Sequence, residues 1–183
     1  MRRHLGTTNI SPSLLARLSQ KTTYPPAVLT SNFTANTTLA PVVPRDDAGP
    51  PDLGFHYDCI DFAWSGLNLT NATLTLTNGV AVAIYGLRGT TLQNGAKFIS
   101  GSDSIHLNHL TRYNTVQEQA NTNWTGSASS LMNITIAPST LPQAKFQFTD
   151  ISLMAGGLQP DTSWRAASSA PSPLRSANCG AVF

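Results

Sequence analysis

Between residues 67 and 77 apolar and polar side chains alternate with a period of two. Leu67, Leu69, Leu74 and Leu76 fall on one side, Asn68, Thr70, Thr73, Thr75 and Thr77 on the other, and the phase changes at Asn71 and Ala72. That pattern predicts a strand with a bend, its leucines facing an interior. Asn78 and Gly79 follow, a pair that readily takes the positive φ of a tight turn, and residues 80–85 resume as strand before Gly86. A second such pair, Asn94 and Gly95, leads through Ala96, Lys97, Phe98 and Ile99 to Gly101. Further apolar runs predict strands at 105–107, 131–136 and 146–153.

Two assemblies accommodate these strands. In a flat antiparallel sandwich, Asn78-Gly79 closes a hairpin and residues 74 and 82 pair across it. In a coil, the chain repeats itself: Leu69-Thr70-Asn71-Ala72 recurs as Leu92-Gln93-Asn94-Gly95 at a shift of 23 residues, and Leu76-Thr77-Asn78-Gly79 matches the same segment at a shift of 16. A 23-residue shift is about one turn of a right-handed parallel β-helix, in which each strand stacks on its equivalent one coil away and bend asparagines can ladder their amides. The favoured expectation is therefore an all-β chain holding a right-handed parallel β-helix, a solenoid of about four coils over residues 52–157. Leu69 then lies beside Leu92, and Asn71 beside Asn94.

The flanks read differently. Residues 1–51 are broken by Pro12, Pro25, Pro26, Pro41, Pro44, Pro50 and Pro51 and form an irregular lead-in: residues 13–18 could make a turn or two of helix but Pro25-Pro26 argues against it, and 32–39 is at best an edge strand. Residues 114–130 are polar and loop out. The segment 158–183, rich in Ala, Ser, Pro and Gly, is expected to be a disordered low-complexity tail that buries too little to offset its ordering entropy. A solenoid ending before such a tail leaves its last coil uncovered, so self-association through that end is expected.

Composition sharpens this picture. Charged residues make up 11% of the chain, with a single glutamate, Glu118, while Thr, Ser and Asn number 22, 18 and 13. This disfavours a helical bundle or coiled coil. A net charge of +2 gives no footprint for nucleic acid. No apolar run is long enough for a signal peptide or a membrane span. Seven Asn-X-Ser/Thr triplets occur, at Asn9, Asn32, Asn36, Asn68, Asn71, Asn123 and Asn133, and bend-forming Asn beside strand-forming Thr accounts for them without glycosylation.

Reactive side chains concentrate at residues 52–61, where Asp52, His56, Asp58 and Asp61 fall within ten positions. Three carboxylates could hold a hard cation, and His56 beside Asp58 could be an oriented general base. The plainer reading makes them a cap over the open start of the first coil. His106 and His109 stand three apart, a spacing that diverges on a strand. Cys59 and Cys179 have no metal-ligand or disulfide spacing. No Asp or Glu occurs from 62 to 102, so a glycosidase carboxylate pair cannot be built there. Arg88 and Lys97, the only charges in that stretch, could contact an acidic sugar. The residues to watch for binding are thus His56, Asp58, Asp61, Arg88 and Lys97, with no catalytic set, metal or cofactor indicated.

The order Leu53-Gly54-Phe55-His56-Tyr57-Asp58 with Asp61, then residues 69–81, then Arg112-Tyr113-Asn114-Thr115-Val116-Gln117-Glu118-Gln119 and Phe148-Thr149-Asp150-Ile151-Ser152-Leu153, resembles large secreted proteins of Verrucomicrobia-type bacteria. In these a phrase like DLGYHYDPIDY precedes TNATLTLTNGVA and a later RYNTVQEQ. The resemblance covers residues 18–157. Cys59 stands where the phrase has proline, and the likeness ends at Leu158. It implies a right-handed parallel β-helix within a longer exported chain and brings no established activity.

The expectation for function is a secreted or cell-surface, non-enzymatic structural or adhesion module that contacts extracellular glycans or surface proteins. The alternative is a polysaccharide-degrading lyase or glycoside hydrolase on the same scaffold, which rests on fold analogy alone.

Overall fold

Short strand-forming runs cut by Asn, Gly and Pro can only give short strands, and the computed structural model contains fourteen of them with one α-helix among the residues it describes, 5–86, 88–113, 130–134 and 139–152. In chain order these are α1 (Pro12–Leu18), β1 (Lys21–Thr22), β2 (Ala27–Val28), β3 (Thr37–Leu39), β4 (Tyr57–Asp58), β5 (Phe62–Trp64), β6 (Leu67–Leu69) and β7 (Thr73–Leu76). Then come β8 (Ala81–Ile84), β9 (Arg88–Leu92), β10 (Lys97–Ser100), β11 (Asn108–Arg112), β12 (Ser130–Ile134), β13 (Gln143–Phe146) and β14 (Thr149–Ser152). The helix begins where Ser11 Oγ accepts the N–H of Leu14 at 3.3 Å, with Pro12 in the first turn where its missing N–H costs nothing.

The protein is all-β in character and its sheets are parallel. One sheet has the order β13-β10-β7-β3, a second β14-β11-β8-β5-β2 and a third β12-β9-β6. From β5 onward the chain visits the second, third and first sheets in turn, so each strand pairs with the one three places on. Among the described residues only the two-residue pair β1–β4 is antiparallel. Strands β7 and β8 lie in different sheets, which excludes the hairpin across Asn78-Gly79. The positive φ expected there is present, 58° at Asn78 and 74° at Gly79, but it turns a corner between sheets.

The register aligns apolar residues into columns. Leu69 pairs with Leu92 and Leu92 with Ile134, while Phe33 bridges to Leu69 from the other side. Phe62, Val82, Leu110 and Ile151 form another column, and Leu74 and Phe98 lie in a third. One apolar cluster gathers the side chains of Phe33, Phe62, Leu69, Leu74, Val82, Leu92, Phe98, Leu110 and Ile151, with Leu69, Leu74, Leu76, Val82, Ile84, Phe98 and Leu110 essentially inaccessible. Each such leucine contributes roughly 1.5–3 kcal/mol through removal from water. Trp64, wholly buried among them, satisfies its indole by donating Nε1–H to Thr90 Oγ1 at 3.1 Å.

Asparagines hold the corners, though not by laddering amide to amide. Asn32, Asn36 and Asn94 each accept a backbone N–H from the neighbouring pass, that of Asn68, Thr73 and Ser139 respectively. Asn108 is completely buried: its Oδ1 accepts from Gly79 N and Val80 N, and its Nδ2 donates to Leu76 O and Ser100 Oγ.

Several sequence expectations shift. Residues 105–107 are not a strand: Ile105 is 84% exposed and its N–H is taken by Asp103 Oδ1, so pairing starts at Asn108. The run 146–153 is split by Phe148, at φ 48°, into β13 and β14. Strands β5 and β9 lacked a clear alternating signal. The lead-in 1–51 supplies β2 and β3, edge strands of two sheets. The expected loop at 114–130 lies outside the described residues except for Ser130, the first residue of β12, and the tail 158–183 lies wholly outside them.

Candidate functional site

Asp61 precedes β5 and its side chain is fully buried. Its Oδ1 accepts the N–H groups of Val42 and Val43 at 2.9 and 3.0 Å, and its Oδ2 accepts that of Ala81 at 2.9 Å. Arg45 Nη1 stands 3.6 Å from Oδ1. The carboxylate thus satisfies backbone donors that burial would otherwise leave unpaired. It also ties the 42–43 segment to the strands around it. Nearby, Ala63 and Ala83 point away from the main core and, with Ile60 and Tyr113 and against Tyr85, make a second, smaller apolar cluster. Burial beside Tyr85 raises the Tyr113 hydroxyl above its ordinary pKa.

His56 does not pair with Asp58. Its Nε2 lies 2.7 Å from Oδ2 of Asp46, a residue whose side chain is 2% exposed. A carboxylate only accepts, so Nε2 carries the hydrogen. The same Oδ2 takes the N–H of Asp52 at 2.9 Å, and Asp46 N–H donates to Lys21 O at 2.8 Å. Asp52 is buried as well, with Oδ2 accepting from Thr23 Oγ1 at 3.1 Å. Asp46 Oδ1 is buried without a partner. Asp58 instead sits on β4, three-quarters exposed, in an ion pair with Lys21 across the β1–β4 ladder.

The carboxylates crowded in sequence are therefore sent to three addresses: Asp52 to Thr23, Asp58 to Lys21, Asp61 to backbone N–H groups. No group of three or more His, Cys, Asp or Glu fit to hold a metal ion exists among the described residues. Asp46, which completes the His56 contact, was invisible to sequence reasoning because it stands ten positions away in a proline-rich stretch. The environment of the adjacent Cys59 thiol disfavours its thiolate form. Desolvation, outweighing the nearby Arg45, pushes Cys59 up to about 11, so it stays protonated near neutral pH.

The two histidines of the second cluster take separate partners: His106 Nδ1 meets Asp103 at 3.0 Å and His109 Nδ1 meets Asp150 at 3.4 Å. The His106 hydrogen bonds lower the exposed Asp103 carboxyl below its usual range. Arg88 and Lys97 are both exposed but are not brought together. Arg88 opens β9 in the third sheet, Lys97 opens β10 in the first. What joins Lys97 is Lys145. In the β10–β13 ladder Lys97 pairs with Gln143 and Ile99 with Lys145, so both lysines project from the outer face of one sheet. Their 48-residue separation hid this.

No protein-family model, curated protein or solved structure matches the chain.

Proposed function

We propose that the chain is a non-enzymatic extracellular module, a right-handed parallel β-helix that contacts glycans or surface proteins through its polar outer faces. The observation that carries this reading is the division of labour among polar side chains. Asp61 is consumed by three backbone donors, and the buried Asp46 accepts from His56 and from Asp52 N–H and so braces the 46–56 segment, whereas Thr75 and Asn68 stand outward between buried leucines. The fixed rotation of strands among three parallel sheets supports the coil, and the resemblance to secreted bacterial proteins supports an exported or surface location. The last strands of the three sheets, β12, β13 and β14, each use one edge among the described residues, which supports self-association through that end.

A glycan panel tests the reading when binding and product release are followed on the same samples. Retention of a polysaccharide or glycan-bearing surface with no new reducing ends or unsaturated products is expected. Release of either product, abolished by His56→Ala or Asp61→Asn in a variant that still folds, would establish the degrading enzyme instead.

A further inference from the structure

We propose that the outer face of the β13-β10-β7-β3 sheet is a docking surface for an anionic polysaccharide, held by Lys97 and Lys145. This names the ligand class within the glycan-contacting function above and rests on it.

Two of the chain's three lysines are on this one face. Gln143, opposite Lys97, is two residues along the strand from Lys145, so the two lysine Cα atoms are about 8 Å apart, one strand spacing across and two residues along. Both side chains are exposed, and neither enters an ion pair among the described residues. The third lysine, Lys21, is paired with Asp58 elsewhere. No Asp or Glu occurs within β3, β7, β10 or β13 or in the two residues flanking each strand. The described carboxylates instead stand at 46, 47, 52, 58, 61, 103 and 150. The face is therefore positive without local compensation, and its complement is an anion.

Its uncharged neighbours narrow the choice to a sugar polymer. Thr73 pairs with Lys97, and the column Thr38, Thr75, Ile99, Lys145 runs beside it. Hydroxyl and amide groups around the two ammonium groups suit a ligand with many hydroxyls and spaced charges, and Ile99, half-buried between them, offers an apolar contact to a ring face. Edge protection explains only one of the two lysines, because Lys145 is on the terminal strand β13 but Lys97 is on the interior strand β10.

The test is binding of the full chain to a polyuronate, to the same polymer fully methyl-esterified, and to a sulfated polysaccharide of matched charge density. Wild type, Lys97→Gln, Lys145→Gln, the double variant and the charge-matched control Arg17→Gln on exposed α1 are compared, with circular dichroism confirming the fold. Expected are retention of the polyuronate, loss with the esterified polymer, at least tenfold weakening in the double variant, weakening with added salt and no change in Arg17→Gln. Equal binding of the esterified polymer or equal loss in Arg17→Gln would overturn the proposal, and the sulfated arm shows whether carboxylate or sulfate is the anion held. So would self-association of Lys145→Gln with binding untouched in Lys97→Gln. Binding only to uncharged glycans would overturn it while leaving the broader function standing; binding to no glycan or surface would remove both.

Discussion

Asn71 donates its backbone N–H to the carbonyl oxygen of Asn94 at 2.8 Å, joining two residues 23 positions apart that occupy the same corner on successive passes of the chain. The contact lies just beyond the Leu69–Leu92 pair and hands the ladder from the third sheet to the first. The side chains inside it carry the stability. Leu69→Ala is expected to cost about 2–5 kcal/mol by urea unfolding, since a fully buried column has no solvent to fill the void. Asn68→Ala on the outward side is expected to cost under about 1 kcal/mol. Equal losses would show that Leu69 does not face the interior.

Asp61→Asn keeps the volume but presents an amide donor toward sites now occupied by three backbone donors. A loss of about 2–4 kcal/mol is expected. Faster hydrogen exchange at Val42 and Val43 is expected to accompany it. A stability change below about 0.5 kcal/mol would contradict the structural role.

His56→Ala removes the donor that faces a deeply buried carboxylate and is expected to lower the melting temperature by several degrees, corresponding to about 1–3 kcal/mol. Asp58→Ala, which breaks a mostly exposed pair, is expected to change it by no more than about 1 kcal/mol. The reverse order of effects would place the structural contact at Asp58.

Cys59 bears on pH. Its folded pKa of about 11 exceeds the ordinary value of 9.0, so the folded state holds the proton more tightly than the unfolded chain. The resulting stabilisation is present in full below pH 9 and is lost as pH rises through about 11. Iodoacetamide labelling mapped by mass spectrometry is expected to be slow at this residue at pH 8 and fast after denaturation. Rapid labelling of folded protein would contradict a thiol held protonated by its half-buried environment.

The 67–77 alternation and the two Asn-Gly pairs made the corners and the 23-residue register legible, because a strand buried on one face must repeat every second residue and a positive-φ corner selects Asn and Gly. Phe62, Ala63 and Trp64 escaped the pattern because both faces of β5 are covered, so no polar residue alternates. Arg88–Leu92 escaped because it buries Gly89 and Thr90, residues with no apolar signal. The candidate site was legible as a cluster but not as a geometry: sequence proximity suggested that His56 and Asp58 act together, while the partner of His56 is Asp46 and the neighbour of Lys97 is Lys145. Contacts between segments far apart in sequence leave no local trace.

The parallel register underlies both the burial of the Asp61 carboxylate beside β5 and β8 and the placing of Lys97 and Lys145 on one face. Cross-strand nuclear Overhauser contacts in isotopically labelled protein test it most directly. Contacts linking residue 69 to 92, 75 to 99 and 99 to 145, with none pairing residues 74 and 82, are expected. Antiparallel contacts between residues 74 and 82 across Asn78-Gly79, with 69 and 92 apart, would contradict it.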